Sequence, residues 1–355
     1  LDDLVRRDER RRTIRRRLVT TALVVFSAWM TGNTWFAITQ RNEARAQREI
    51  AEQQTEDANA TINALVGLFE VADPFDPAAT TNAKEITALT VLQRGLVKVE
   101  TELADRPMVR ARLRTAIGTV HQNLGDLQGA EPVLANAAQG PFASVEDEVT
   151  ARLHYADVLT RLGSFEKAAT EITATSTLVE SSAKSLPAEM LSLFRSEIDR
   201  RSATQAYFQT NYDTAIAKYL SAKAHCQAAP ACEPKKLASL SNNLSIAYSE
   251  SGRKAEARQE LQLVREIYLK EFGPDHLKTA ITDQNIAYAD FLNGEYEAAL
   301  ASMPRVVAIY ERLLEETHPL RANANLLLGR LYHATGAEEE AIAALSRSRD
   351  GFVKA

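Results

Sequence analysis

Leu328-Gly-Arg-Leu-Tyr332-His-Ala-Thr-Gly336-Ala-Glu-Glu-Glu-Ala341-Ile-Ala-Ala-Leu345 is the last and clearest copy of a phrase that returns six times in this 355-residue chain. Measured from Gly329, its anchors stand at offsets of 3, 7, 12 and 16 residues. Gly118, His121, Gly125, Ala130 and Leu134 repeat that spacing. So do Ala156, Leu159, Gly163, Ala168 and Ile172, and then Ser245, Tyr248, Gly252, Ala257 and Leu261. Two looser copies are Ala287, Asp290, Gly294, Ala299, Met303 and Ala203, Ala206, Thr210, Ala215, Tyr219. A fixed internal period identifies a repeat architecture before any single residue is interpreted. The phrase predicts a helix, a tight turn and a second helix. Small residues at the first anchor and at the alanine let the two helices approach closely. The bulky residue at offset 3 fills the space beside them. Glycine at offset 7 takes the left-handed conformation that ends the first helix. One hairpin cannot bury its apolar face alone, whereas stacked hairpins share a continuous core and present a concave face.

These residues resemble the tetratricopeptide repeat, most closely in Leu328-Gly329-x-x-Tyr332 with Ala341-x-x-x-Leu345 and in Ile117-Gly118-x-x-His121 with Ala130-x-x-x-Leu134. The resemblance implies an all-α fold, a right-handed tetratricopeptide superhelix of about six helical hairpins. The usual tryptophan is absent from every copy. First anchors fall at 118, 156, 203, 245, 287 and 329, so the last three intervals are each 42 residues. Asn243 and Asn285 share that interval, as do His276 and His318. Phe272-Gly-Pro-Asp-His276 and Thr317-His-Pro319 look like the connectors of kinesin-light-chain-type arrays, a likeness covering roughly residues 237–350.

Composition bounds the rest. Apolar content is ordinary and aromatic content is 6%, which suits helices packed through Ala and Leu. A net charge of −5 gives no basic surplus for nucleic acid. Residues 1–17 hold eight Arg against four acids, so the acidic balance lies in the remainder. The first residue is Leu, within a charged run, and we expect a C-terminal piece of a longer protein.

Residues 1–17 read as a basic juxtamembrane segment and 18–38 as a transmembrane helix, because Leu18 to Ile38 carries no charge over 21 residues. The arginine-rich flank places the N-terminus in the cytoplasm and the array outside it. A cleaved signal peptide is excluded by the length and by the lack of a small-x-small site; a buried helix is the other alternative. Ala28, Gly32 and Asn33 could pair two such spans, giving a homodimer. Residues 39–72 read as a polar connecting helix, 73–106 as a linker and capping helix broken at Asp73-Pro-Phe-Asp-Pro77, and 107–355 as the array. Thr87 to Leu103 is the amphipathic capping helix.

Phe69-Glu-Val-Ala-Asp-Pro74 with Leu103-Ala-Asp-Arg-Pro107 is similar to the segment between membrane helix and repeats in bacterial receptor-like serine/threonine kinases. Leu1-Asp-Asp-Leu-Val-Arg-Arg-Asp-Glu-Arg-Arg-Arg12 instead resembles the tail after a bacterial Toll/interleukin-1 receptor (TIR) domain. Both imply a bacterial inner-membrane protein, single pass, whose repeats are periplasmic or otherwise extracytoplasmic. They also imply a missing upstream signalling domain, a kinase or a TIR-domain hydrolase of NAD.

Within the chain itself no phosphate loop, His-Glu-x-x-His or Gly-x-Ser-x-Gly occurs, so no catalytic, cofactor or metal residue is expected. His121 reads as packing, and His276 and His318 as connector and capping residues. Cys226 and Cys232 flank Gln-Ala-Ala-Pro-Ala in what reads as the longest irregular connector of the array. Outside the cytoplasm they are expected to form a disulfide, with two free thiols as the alternative. The resemblance to tetratricopeptide arrays places ligand-facing residues three before, one after and four after each first anchor. It selects Asn242, Ile246 and Ser249, then Gln284, Tyr288 and Phe291, then Leu326, Arg330 and His333, with Asn243 and Asn285 beside them. The expected partner is a protein or extended peptide. Its backbone would take hydrogen bonds from the amides, and its side chains would stack on Tyr288 or Phe291. The Lys/Asn set of chaperone-tail clamps is missing. A purely structural scaffold is the remaining alternative.

Overall fold

The computed structural model describes residues 88–354, together with the isolated Gln40. The expected membrane span at 18–38 and, Gln40 apart, the connecting helix at 39–72 lie outside these residues, as does the pairing of spans through Ala28 and Gly32. Among the described residues there are thirteen α-helices and no strand. The chain divides into two compact units, 1–109 and 110–355. The first contributes α1 (Ala88–Glu102) and the opening turn of α2 (Pro107–Asn123).

In the second unit, α2 is followed by α3 (Leu127–Ala138), α4 (Val145–Arg161) and α5 (Phe165–Ser181). Next come α6 (Ala188–Phe208), α7 (Tyr212–Ala228), α8 (Pro234–Glu250) and α9 (Lys254–Phe272). The array ends with α10 (Leu277–Leu292), α11 (Tyr296–Leu313), α12 (Pro319–Ala334) and α13 (Glu338–Lys354). Each first anchor lies on an even-numbered helix and each alanine near the start of the odd-numbered helix that follows. Ala130, Ala168, Ala215, Ala257 and Ala299 are completely buried, and Ala341 is 2% exposed. Hairpin partners pack on each other and on the next hairpin, so that α7 meets α8, α9 meets α10 and α11 meets α12.

The turn has a repeated physical cause. Gly125, Gly163, Gly252, Gly294 and Gly336 all have φ between 76° and 82°. In each hairpin the N–H just after this residue donates to the carbonyl of the offset-3 residue. Asp126 donates to His121 at 3.0 Å, Ser164 to Leu159 at 2.8 Å and Arg253 to Tyr248 at 2.8 Å. Glu295 donates to Asp290 at 2.9 Å and Ala337 to Tyr332 at 2.8 Å. This is the Schellman closure, which needs a left-handed residue at its centre. In the third hairpin Thr210 takes that role at φ 57°, and Asn211 still donates to Ala206 at 2.9 Å. Offsets 3 and 7 therefore mark the two ends of one hydrogen-bonded turn.

Offsets 0 and 16 mark a contact. A Cβ placed on Gly118 would lie 2.5 Å from Leu134 Cγ, and one on Gly329 would lie 2.7 Å from Leu345 Cγ. The glycines admit the leucine of the second helix against the backbone of the first.

Helix starts also follow the sequence. His276 and His318 are N-caps whose ring Nδ1 atoms accept from the N–H of Lys278 and Leu320, both at 3.1 Å. Cys226 and Cys232 are joined, with Cα atoms 5.3 Å apart, within the span of a disulfide. Their connector is not the longest of the array, contrary to the expectation from sequence. It is residues 229–233, shorter than 139–144 and 182–187, because α7 runs on through Cys226 to Ala228.

Candidate functional site

α4 lies beside α6 and α10 beside α12, and α4, α6 and α8 line one cavity, as in a stack whose even-numbered helices share a face. On it the residue one after the first anchor is exposed in three successive hairpins: Ile246 at 41%, Tyr288 at 47%, and Arg330. Phe208, Leu292 and Leu326 add further exposed apolar surface to α6, α10 and α12. Five large apolar side chains are thus exposed on α6, α8, α10 and α12.

The other predicted residues divide. Asn285, Ser249 and His333 are exposed, and His333 Nδ1 lies 2.9 Å from the Glu338 carboxylate. Asn242 and Asn243 are half-buried. Gln284 is engaged inside the hairpin, where its Oε1 accepts from the Tyr310 hydroxyl at 2.8 Å. Burial pushes that phenol well above its usual range, so Tyr310 is a donor at any physiological pH. Phe291 is covered rather than open. The Arg330 guanidinium lies 4.5 Å from its ring centroid and the Tyr296 ring lies 5.6 Å away. Arg330 and Phe291 thus join consecutive hairpins through a cation–π contact.

Towards α4 the same face deepens into a cavity of about 200 Å³ between α4, α6 and α8. One wall carries Asp157 and Arg161 from α4, and another carries Arg200 and Thr204 from α6. Tyr207, Phe208, Ile246 and Tyr219 supply apolar lining, and Asn243 brings one of the predicted amides to the rim. Tyr219 OH and Thr204 Oγ1 are hydrogen-bonded at 3.0 Å.

Behind Asp157, Arg161 and Arg200 lies an ion network. Asp157 is 3% exposed and receives the Arg201 guanidinium, the Gln122 amide and, at 3.1 Å, Arg161 Nε. Arg201 is itself buried, which disfavours its charge and pushes its pKa down, with Arg200 adding to that; Asp157 offsets both. Its Nε has no hydrogen-bond partner. Glu197 bridges Arg200 and Lys236, each at 2.8 Å. Burial opposes its charge, but Arg200 and Lys236 prevail and hold its carboxyl at about 2. His154 lies 3.3 Å from the Gln122 amide oxygen, and burial, reinforced by Arg201, lowers it to about 4. It is therefore neutral at physiological pH.

Sequence reasoning missed this network. Asp157 and Arg200 stand at ligand-facing offsets, one after Ala156 and three before Ala203, but Arg161 and Arg201 do not, and the pairing between hairpins leaves no periodic trace. A second such pair sits at an anchor: Asp290, at offset 3 where other copies carry a bulky residue, is 3% exposed and receives Arg258 from α9. His121, at the same offset, is 2% exposed and lies 2.8 Å from Asp126 Oδ2, while Asp126 Oδ1 accepts from the Gly129 N–H. Those contacts, the Gly129 bond first, keep the Asp126 carboxyl below its usual range.

Among the described residues no group of three His, Cys, Asp or Glu could hold a metal ion. No described helix is long and apolar enough to cross a membrane.

Tetratricopeptide repeat family models match residues 237–277 and 279–352, the part where the 42-residue spacing is regular. No curated protein matches the sequence. Among solved structures the fold is similar to that of BtubC (BKLC) from P. vanneervenii. The two are 18% identical with a TM-score of 0.52 over 76% of this chain and 92% of that one. RapI in its apo form gives a TM-score of 0.53 at 12% identity over 84% and 96% of the two chains. A signal transduction ATPase with a tetratricopeptide repeat sensor, from Pyrococcus horikoshii, gives 0.53 at 15% identity, over 73% of this chain and 43% of that one. At these identities the likeness is one of fold. The chain is a helical-repeat protein that carries tetratricopeptide repeats, matched directly over residues 237–277 and 279–352 and spaced alike back to Gly118.

Proposed function

We propose that this chain binds a protein or extended peptide along the face of its even-numbered helices. The observation that carries the reading is the run of exposed apolar side chains, Phe208, Ile246, Tyr288, Leu292 and Leu326, on successive helices of that face. An array of this kind is a scaffold for protein–protein contact, and a pocket-lined helical face is how such a scaffold takes a segment of another chain. Asn243 and Asn285 stand beside the apolar run and supply amides for a bound backbone. Selection of a random peptide library on the full chain tests this. Enriched peptides are expected to bind, and to lose roughly tenfold in affinity on Tyr288→Ala or Ile246→Ala. Selected peptides that bind both variants unchanged would overturn the placement.

We further infer a membrane-anchored, extracytoplasmic array that serves a signalling domain upstream of Leu1, a kinase or a TIR-domain hydrolase. The uncharged stretch 18–38 behind an arginine-rich flank supports it, as do two cysteines close enough to bond. A reporter fused after Ala355 that is active only in the cytoplasm would refute that topology.

A further inference from the structure

We infer that the cavity between α4, α6 and α8 is an anchor for a side-chain carboxylate of an acidic peptide, with Arg161 and Arg200 as its donors. The inference rests on the reading of this face as peptide-binding and adds the chemistry of one subsite. Its basis is a local surplus of positive charge in a chain that is acidic as a whole. Arg161, Arg200, Arg201 and Lys236 meet only Asp157 and Glu197, leaving an excess of two positive charges. His154 is neutral there and does not alter the balance. The surplus is also one of donors, since Arg201 Nε is buried with no acceptor.

The two arginines differ from the rest of the network in being reachable. Arg161 commits its Nε to Asp157, but its side chain is 47% exposed. Arg200 gives Nε and one terminal nitrogen to Glu197, on a side chain 21% exposed. Both border the cavity. A guanidinium edge beside a partly desolvated cleft matches the fork of a carboxylate, and the hydrogen bonds it makes are about twice as strong as neutral ones. Asp157 does not repel such a ligand effectively, because Arg201, Arg161 and Gln122 already surround it. A space of about 200 Å³ takes a carboxylate and one neighbouring side chain, not a folded surface. Tyr207, Phe208 and Ile246 form the side of the cavity that an apolar neighbour would contact. Ile246 continues onto the exposed run towards Tyr288, so a peptide held here by its acid would extend along the apolar face.

The test uses the full chain and two capped peptides, acetyl-Ala-Leu-Phe-Glu-Leu-Ala-amide and its Glu→Gln counterpart, followed by fluorescence anisotropy at low and physiological salt. The Glu peptide is expected to bind about tenfold more tightly than the Gln peptide, with a preference that shrinks as salt rises. Arg161→Gln is expected to abolish that preference while leaving the circular dichroism spectrum unchanged, because Arg201 and Gln122 still hold Asp157. Arg200→Gln should act in the same direction. Equal affinity for the two peptides, failure of the Glu peptide to bind, or a preference that survives Arg161→Gln would each overturn the anchor. If both peptides bind equally and Tyr288→Ala weakens both, the anchor falls and the peptide-binding face stands. If library selection also yields nothing that depends on Tyr288, the face itself is refuted.

Discussion

Gly118 and Gly329 occupy the same position in the first and last copies of the phrase, yet replacing each with alanine should have different consequences. An added Cβ at Gly118 would meet Leu134 Cγ at 2.5 Å and Cδ2 at 2.7 Å. Leu134 is completely buried, so its side chain has no space to swing into. Overpacking of this kind costs about 1–3 kcal/mol. Alanine returns about 1 kcal/mol through its better helix propensity. The net loss for Gly118→Ala is then up to about 2 kcal/mol. At Gly329 the contacts look alike, with Leu345 Cγ at 2.7 Å, but Leu345 is 38% exposed and can rotate outward. What remains is the Ala341 carbonyl oxygen at 3.2 Å, which asks for a shift of a few tenths of an ångström. The propensity gain offsets that, and Gly329→Ala should be close to neutral. Long helical arrays do not unfold in one step, so a global midpoint would blur the comparison. Native-state hydrogen exchange resolves it by hairpin. Amides of α2 and α3 are expected to exchange about tenfold faster in Gly118→Ala, since 1.4 kcal/mol corresponds to a factor of ten. Those of α12 and α13 should be unchanged in Gly329→Ala. Leu134→Ala should cost less in the Gly118→Ala background than in the wild type, which is the coupling expected of atoms in contact. Equal exchange in the two glycine variants, or additive costs in the cycle, would refute the view that burial of the partner leucine decides the outcome.

Three further outcomes concern the turns and the half-buried His154. Thr210→Gly should stabilise the third hairpin by about 0.5 kcal/mol, because it relieves a left-handed β-branched residue and returns part of the gain as chain entropy. Gly252→Ala, where an added Cβ meets nothing within 4 Å and φ is 81°, should lose about 1 kcal/mol through the backbone alone; urea titration of the two variants checks both signs. His154, held at about 4 when folded against an ordinary 6.5, binds its proton in the unfolded chain first. Stability should therefore fall by about 3 kcal/mol as pH drops from roughly 6.5 to 4. His154→Gln should flatten that slope and leave the separate loss below about pH 4.5, where Glu197 begins to titrate in the unfolded chain.

How much of the molecule could be read without coordinates varies by residue. The glycines at offset 7 announced their left-handed turns, and even the irregular copy was legible, since Thr210 adopts φ 57° where the spacing placed it. The histidines 42 residues apart were readable as caps because a cap is a local event: Nδ1 reaches an N–H two residues on. Tyr288 and Ile246 were readable as exposed because a helical repeat sets which side of a helix faces its neighbours. Gln284 and Phe291, selected by the same rule, are engaged instead, one by Tyr310 and the other by Arg330. Those partners lie 26 and 39 residues away, on other helices, and their side chains have no periodic signature.

By itself, then, the sequence determined the all-α hairpin array, its turns, its close helix contacts and the face that is open. All of these depend on interactions repeated within about twenty residues. The tertiary structure decided where on that face the charge collects. Gln122, Asp157, Arg201 and Lys236 come from four different helices, and only the stacking of hairpins brings them into one network. Electrostatic energy depends on distance in space and on burial, neither of which a linear spacing encodes.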